Sequence, residues 1–403
     1  MSLLWPGDHR AGDVMSDTAL LRALVTTERA WLGVLVDAGV APERAAHDLT
    51  GAIGPQDLDR LTVDAEAGGN PVIPMVALLR SRLPEPTRTW LHRGLTSQDV
   101  LDTALMLGAR QAVAAMRGEI TEQVDALTAL IEAHRCTMMT GRTLTQPATP
   151  IPFAAKAAGW LAGLLDADEE LARLDFPVQV GGAAGTLSGL VALAGTERAR
   201  ACRAALPHAL GLSPSPPWHT RRTPVTRIGD AATTVTGAWG RIANDVLALG
   251  RPEIGELVDG SAGGSSTMPH KANPTLAVLL HRSALTSPSL AAGLHVAAGS
   301  QVDERADGAW HAEWQPLGLL LRHSVAAAGQ AAELLRGLQV RTGRMTARLE
   351  ASREDVLAEA RTMTRIAGLE PGDTMDTGLS EDLVNEVLER AARRPAPPEQ
   401  EDI

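Results

Sequence analysis

The chain is 403 residues long, carries a formal net charge of -11 and is 44% hydrophobic, enough for a large buried core and more than one domain. The acidic balance argues against a nucleic-acid backbone as partner, because phosphate binding needs clustered Lys and Arg. Two cysteines, Cys136 and Cys202, are too few for a disulfide framework or a cysteine metal site, and no uncharged apolar stretch approaches the roughly 20 residues that span a bilayer.

The N-terminal stretch reaches Pro6 and Asp8 without a basic start and apolar run, so no secretion signal is expected and a cytoplasmic location is the expectation. There is no tyrosine, which leaves proton transfer to His, Ser, Lys, carboxylates or water. No His/Cys/Asp cluster has ordinary metal-ligand spacing, and no metal is expected.

In chain order, Ser16-Asp17 ahead of Ala19-Leu20-Leu21 predicts a capped helix running to about Gly39. Gly68-Gly69-Asn70-Pro71 and Pro84-Glu85-Pro86 break the first third. Thr96 and Ser97 then open a helix, their hydroxyls and amides forming a possible carboxylate cradle, with Asp99 as a cap or an orienting group. Val113, Met116, Ile120, Val124, Leu127 and Ile131 recur in steps of three and four, a long amphipathic helix. Gly181 to Gly185 and Ser213 to Pro217 punctuate the middle, and Ile228, Ala231, Val235, Trp239, Ile242, Val246 and Leu249 mark a second long helix. Alternating runs of β-branched and aromatic residues are scarce, so the fold is expected to be all-α. The expected division is an N-terminal helical domain over 1–108, a central long-helix bundle over 109–335, and a C-terminal helical domain over 336–403. The acidic, Pro-rich tail is expected to be disordered from about residue 394.

The most informative segment spans 259–274. Gly263-Gly264 supply backbone freedom beside Ser265 and Ser266, Lys271 offers a cation, and Asn273 offers amide donors for a carboxylate. Met268-Pro269 would stiffen the segment, and Pro274 is placed to open a helix.

The ordered string Gly264-Ser265-Ser266-Thr267-Met268-Pro269-His270-Lys271-Ala272-Asn273-Pro274 resembles the signature of the fumarase/aspartase superfamily. His92 to Thr103 is similar to a second motif of that family, and Gly141 to Pro150 to a third. The resemblance implies a long helix bundle with small helical domains at either end. It implies a homotetramer with active sites shared between subunits, no cofactor, and a small di- or tricarboxylate substrate; no nucleic acid or membrane partner is implied. It places catalytic roles on Ser265, as general base, and on Lys271; His92 is a further catalytic candidate that binds or protonates substrate, weighed beside a hydrogen-bonded surface imidazole. Substrate contacts fall on Thr96, Ser97, Thr143, Gln146, Ser266, Met268, Asn273 and Arg305. One position departs: Leu144 stands where several members carry a histidine general acid, and leucine cannot move a proton.

Further segments, among them Asn70 to Pro74, Lys156 to Leu161 and Asp303 to Trp314, look like the 3-carboxy-cis,cis-muconate cycloisomerase branch. That branch commonly has an apolar residue at the position of Leu144. The resulting expectation is a cycloisomerase that forms carboxymuconolactone in protocatechuate breakdown by the β-ketoadipate route. The alternatives are a fumarate-releasing lyase acting on a nitro- or aminosuccinate, and a catalytically silent structural homologue. Trp310 and Trp314 are read as packing. For His219 and His311 a surface or capped role is weighed beside a binding one, and for Arg305 a pairing with Asp303 or Asp307 is weighed beside a grip on a substrate carboxylate.

Overall fold

A computed structural model describes residues 2–261, 263 and 273–395. In chain order its elements are α1 (Asp17–Asp37), α2 (Leu58–Gly68), α3 (Val72–Arg82), α4 (Thr87–Trp90), α5 (Ser97–Ala133), β1 (Met138–Thr143), β2 (Gln146–Pro152) and α6 (Phe153–Ala172). There follow α7 (Ser188–Ala194), α8 (Thr196–Leu210), α9 (Thr223–Leu249), β3 (Leu257–Val258), α10 (Thr275–Gly299) and α11 (Gly308–Gly337). The last are β4 (Gln339–Val340), α12 (Thr342–Ala351), α13 (Arg353–Ile366) and α14 (Ser380–Ala392).

The fold is all-α apart from two short antiparallel pairs, β1 with β2 and β3 with β4. Helices α5, α6, α9, α10 and α11 pack together as a bundle. The two apolar stripes face inward: all the stripe residues named above on α5 and α9 are buried. A polar bridge fixes their register. Trp239 Nε1 donates to Gln123 Oε1 at 2.7 Å, and Gln123 Nε2 donates to the Ala328 carbonyl at 2.9 Å, joining α9, α5 and α11 in the dry interior. Each of these buried polar atoms is satisfied, which is what burial demands.

Helix α1 begins as its sequence dictates, with Ser16 Oγ accepting the Ala19 amide at 3.2 Å. It ends at Asp37, and Gly39 beyond it adopts φ 63°. Helix α5 runs unbroken through position 108; at 37 residues it is about 55 Å long. Helices α12 and α13 pack on the β1–β2 hairpin, and α14 lies on α6.

At the C-terminus Arg394 is held against α5 and α6: its Nε donates to Asp168 at 2.7 Å and its Nη1 to Thr121 Oγ1 at 2.9 Å. Asp168 also takes Arg117 Nε at 2.9 Å. Burial alone would raise its carboxyl, but Arg394 and Arg117 outweigh that and hold it below the usual range. Residues 396–403 lie outside the described residues.

Candidate active site

Helix α5 starts at one end of the bundle, where the His92 to Thr103 motif and Arg305 gather. Thr96 is the residue before the first turn, with extended backbone. Asp99 is wholly buried and accepts four donors: the Thr96 amide at 3.0 Å, the Gly181 and Gly182 amides at 2.9 Å each, and His219 Nε2 at 2.9 Å. It therefore both caps α5 and anchors the glycine-rich turn. A side chain at Gly181 would meet the His219 ring at 2.7 Å, so the glycine is needed for this approach. The Thr96 amide is committed to Asp99, in the capping role expected of that acid. His219 is a buried partner of Asp99 rather than a surface histidine.

Arg305 crosses to this helix start and donates from Nη1 to Thr96 Oγ1 at 2.7 Å, and no ion pair joins it to Asp303 or Asp307 among the described residues. Behind it lies a buried charge cluster. The Arg222 guanidinium donates to Asp102 at 2.8 and 3.0 Å and to Glu313 at 3.1 Å and through a second, shorter bond. All three side chains have no solvent exposure. Two carboxylates share one cation, and burial pushes the Glu313 carboxyl up to about 7 despite Arg222. Trp310 Nε1 donates to Asp102 at 3.0 Å, and the Trp310 and Trp314 rings pack edge to face at 4.7 Å. These tryptophans hold α11 against α5. His311 rests its ring nitrogens on the carbonyls of Asp307 and Gly69, a structural placement.

His92 lies four residues before Thr96, in left-handed backbone at φ 61°. Its Nδ1 meets Glu28 Oε1 of α1 at 2.6 Å. The flanking carbonyls are clamped too: Arg80 Nη2 donates to Leu91 O and Trp31 Nε1 to Arg93 O, each at 2.7 Å.

The other motif segments lie at the opposite end of the bundle. Thr143, Leu144 and Gln146 form an exposed tip on the β1–β2 hairpin, where Leu144 is 96% exposed. The paired residues Thr143 and Gln146 enclose Leu144 and Thr145, at φ 49° and 73°, the positive values a tight two-residue hairpin turn requires. Arg142 is structural, donating to the buried Glu256 at 3.0 and 2.7 Å.

The described flanks of the 259–274 segment lie at the same end. Asp259 ties its two sides, accepting the Ser261 amide at 3.0 Å and the Leu276 amide at 3.2 Å. Gly263 and Asn273 then exchange both backbone hydrogen bonds at 2.9 Å, forming a closed stem. Ser265, Ser266, Met268 and Lys271 lie outside the described residues.

Residues 63–285 match the family described as Lyase. The chain is 36% identical to the 3-carboxy-cis,cis-muconate cycloisomerase of Bradyrhizobium diazoefficiens, over 86% of this chain and 76% of the relative. The chain belongs to the fumarase/aspartase superfamily of lyases. A nitrosuccinate lyase of Streptomyces davaonensis is 40% identical, over 88% of this chain and 78% of that protein. The crystal structure of the 3-carboxy-cis,cis-muconate lactonizing enzyme from Pseudomonas putida superposes with a TM-score of 0.82 at 30% identity, covering 94% and 85% of the two chains.

Among the superfamily motif residues, one chain brings together His92, Thr96, Ser97 and Arg305. It holds Thr143, Gln146 and Asn273 apart from them. The sequence reading missed Glu28, Asp102, Glu256, Asp259 and Glu313. Asp102 and Asp259 stood inside quoted motifs, whereas no local pattern marks Glu28 on α1.

Proposed function

We propose that the chain catalyses elimination of nitrite from nitrosuccinate, releasing fumarate. The observation that sets this reading apart from amine elimination is Leu144, an exposed apolar residue where an acid would protonate an amine on departure. Nitrite leaves as a stable, weakly basic anion and needs no such proton. The likeness to the Streptomyces davaonensis nitrosuccinate lyase favours the same reaction.

In this reading Ser265 takes a proton from the methylene carbon next to one carboxylate. The C–H electron pair becomes the new double bond, and the C–N pair departs with nitrite. The dianion formed on the way is the costly species, and fixed donors stabilise it. Lys271, Asn273 and Arg305 are assigned to the carboxylates, with Ser97, Ser266, Thr143 and Gln146 as further donors and Met268 as an apolar wall. His92 presents Nε2 to the substrate.

A site shared between copies, as in a homotetramer, is part of this proposal. Nine residues joined at the Gly263–Asn273 stem reach at most about 17 Å from it. The stem sits beside Gly337, the last residue of α11, because a side chain on Gly260 would strike the Gly337 carbonyl. Helix α11 has 30 residues and puts about 45 Å between that point and the Arg305 end. That reach supports a Ser265 that serves Thr96 of another copy.

The second reading is a 3-carboxy-cis,cis-muconate cycloisomerase, favoured by the 36% identical relative; an internal carboxylate addition likewise needs no acid at Leu144. Purified protein is incubated with each substrate. Fumarate and nitrite formed in equal amounts from nitrosuccinate, with carboxymuconate absorbance unchanged, is the expected result. Lactone formation without nitrite release would overturn it.

A further inference from the structure

We propose that Glu28 is a positioning residue that fixes His92 with its proton on Nδ1, so that Nε2 is the nitrogen that meets substrate. This rests on the assignment of His92 to the site made above. Glu28 sits inside α1 with no solvent exposure, and its Oε1 is 2.6 Å from His92 Nδ1. Its Oε2 is buried with no hydrogen-bond partner among the described residues. Burying a carboxylate with half its hydrogen-bonding capacity unmet is costly, and an apolar residue would serve packing better at this place on α1. The Arg80 guanidinium is near enough to feel Glu28 electrostatically, but it spends its hydrogen bond on the Leu91 carbonyl at 2.7 Å.

His92 is itself held against its preference. Left-handed backbone is unfavourable for a residue with a Cβ, yet φ is 61° here. The carbonyls on either side are gripped by Arg80 and by Trp31, the latter three residues along α1 from Glu28. Two helices thus immobilise the backbone while Glu28 orients the ring. A carboxylate accepts only, so Nδ1 must carry the hydrogen in both protonation states of the ring. No described residue bonds Nε2. A buried carboxylate that fixes the tautomer of an imidazole whose other nitrogen is left for chemistry is a positioning arrangement with large kinetic leverage.

The test uses E28A, E28Q, H92Q and the double variant E28A/H92Q, with nitrosuccinate turnover and 15N spectra of histidine-labelled protein. E28A is expected to lower kcat by roughly 10- to 100-fold with little change in KM. E28Q, which keeps an acceptor, should recover part of that loss. E28A should cost nothing further in the H92Q background. In the spectra, the His92 ring of the parent carries hydrogen on Nδ1, and E28A shifts it towards Nε2. Equal losses from E28A with and without His92, or a parent ring protonated on Nε2 alone, would overturn the proposal. If nitrosuccinate is not turned over, the assignment of substrate fails separately, and the ring spectra of the parent and E28Q still decide the role of Glu28. Should E28A fail to fold, E28Q supplies both readouts.

Discussion

Asp99 and Glu313 are both buried acids of the α5 end, and their surroundings treat them differently. Asp99 meets three backbone amides and one imidazole, so its charge is fully answered. Glu313 shares a single guanidinium with Asp102, and burial lifts it to about 7 from an ordinary 4.5. The native protein therefore keeps a proton on Glu313 that the unfolded chain has already released. Its contribution to stability is fully present below the unfolded value and is lost as pH rises through about 7. The urea midpoint should fall between about pH 5 and about pH 8 in the parent. In E313Q, which has no proton to lose, that fall should be smaller; an unchanged fall would mean another group is responsible. At this scale the sequence named the motif residues but not their obligations. Asp99 was legible as a cap because it follows Thr96 by three. Glu28 was not, since its partner is 64 residues away and no periodicity records it.

Among the elements, the long helices were the most legible. The stripes on α5 and α9 are buried without exception, because a 3.6-residue period needs only local sequence to be recognised. The β1–β2 hairpin escaped for a physical reason. Its turn is Leu144-Thr145, two residues with a Cβ in backbone that Asn-Gly pairs normally advertise, and its second strand carries Pro147, Pro150 and Pro152. We propose that the first division of the chain falls at Thr96, where α5 begins, rather than at 108. Close backbone contact governs the stem of the 259–274 segment, where Gly260 lies directly against Gly337. Gly260→Ala should push these apart and cost about 1–3 kcal/mol in stability. Turnover should fall further than that loss alone explains, because Asp259 and Gly263 move with it. Thermal unfolding and kcat measured together check this; an unshifted melting point would show that the contact yields freely.

For the whole molecule, we propose that two separated ends mean a division of labour between copies. His92, Thr96 and Arg305 sit at one end, and Asn273 and the hairpin tip at the other. A site drawing Ser265 and His92 from different copies can be rebuilt from two inactive parents. Mixed assemblies of H92Q and S265A should recover about a quarter of parental activity, since random assortment pairs two intact contributors in that share of sites. No recovery from demonstrably mixed assemblies would place both residues in one copy.

The contact of Arg394 with Asp168 bears on how such a chain comes into being. Its partners are 226 positions apart, so Asp168 leaves the ribosome long before the second arginine exists. Until then Arg117 alone answers a carboxylate destined for burial, and the α6 surface that receives α14 is incomplete. Chain order therefore makes the Arg117–Asp168 pair available to the bundle first, and the second guanidinium reaches the same carboxylate only when residue 394 has been made.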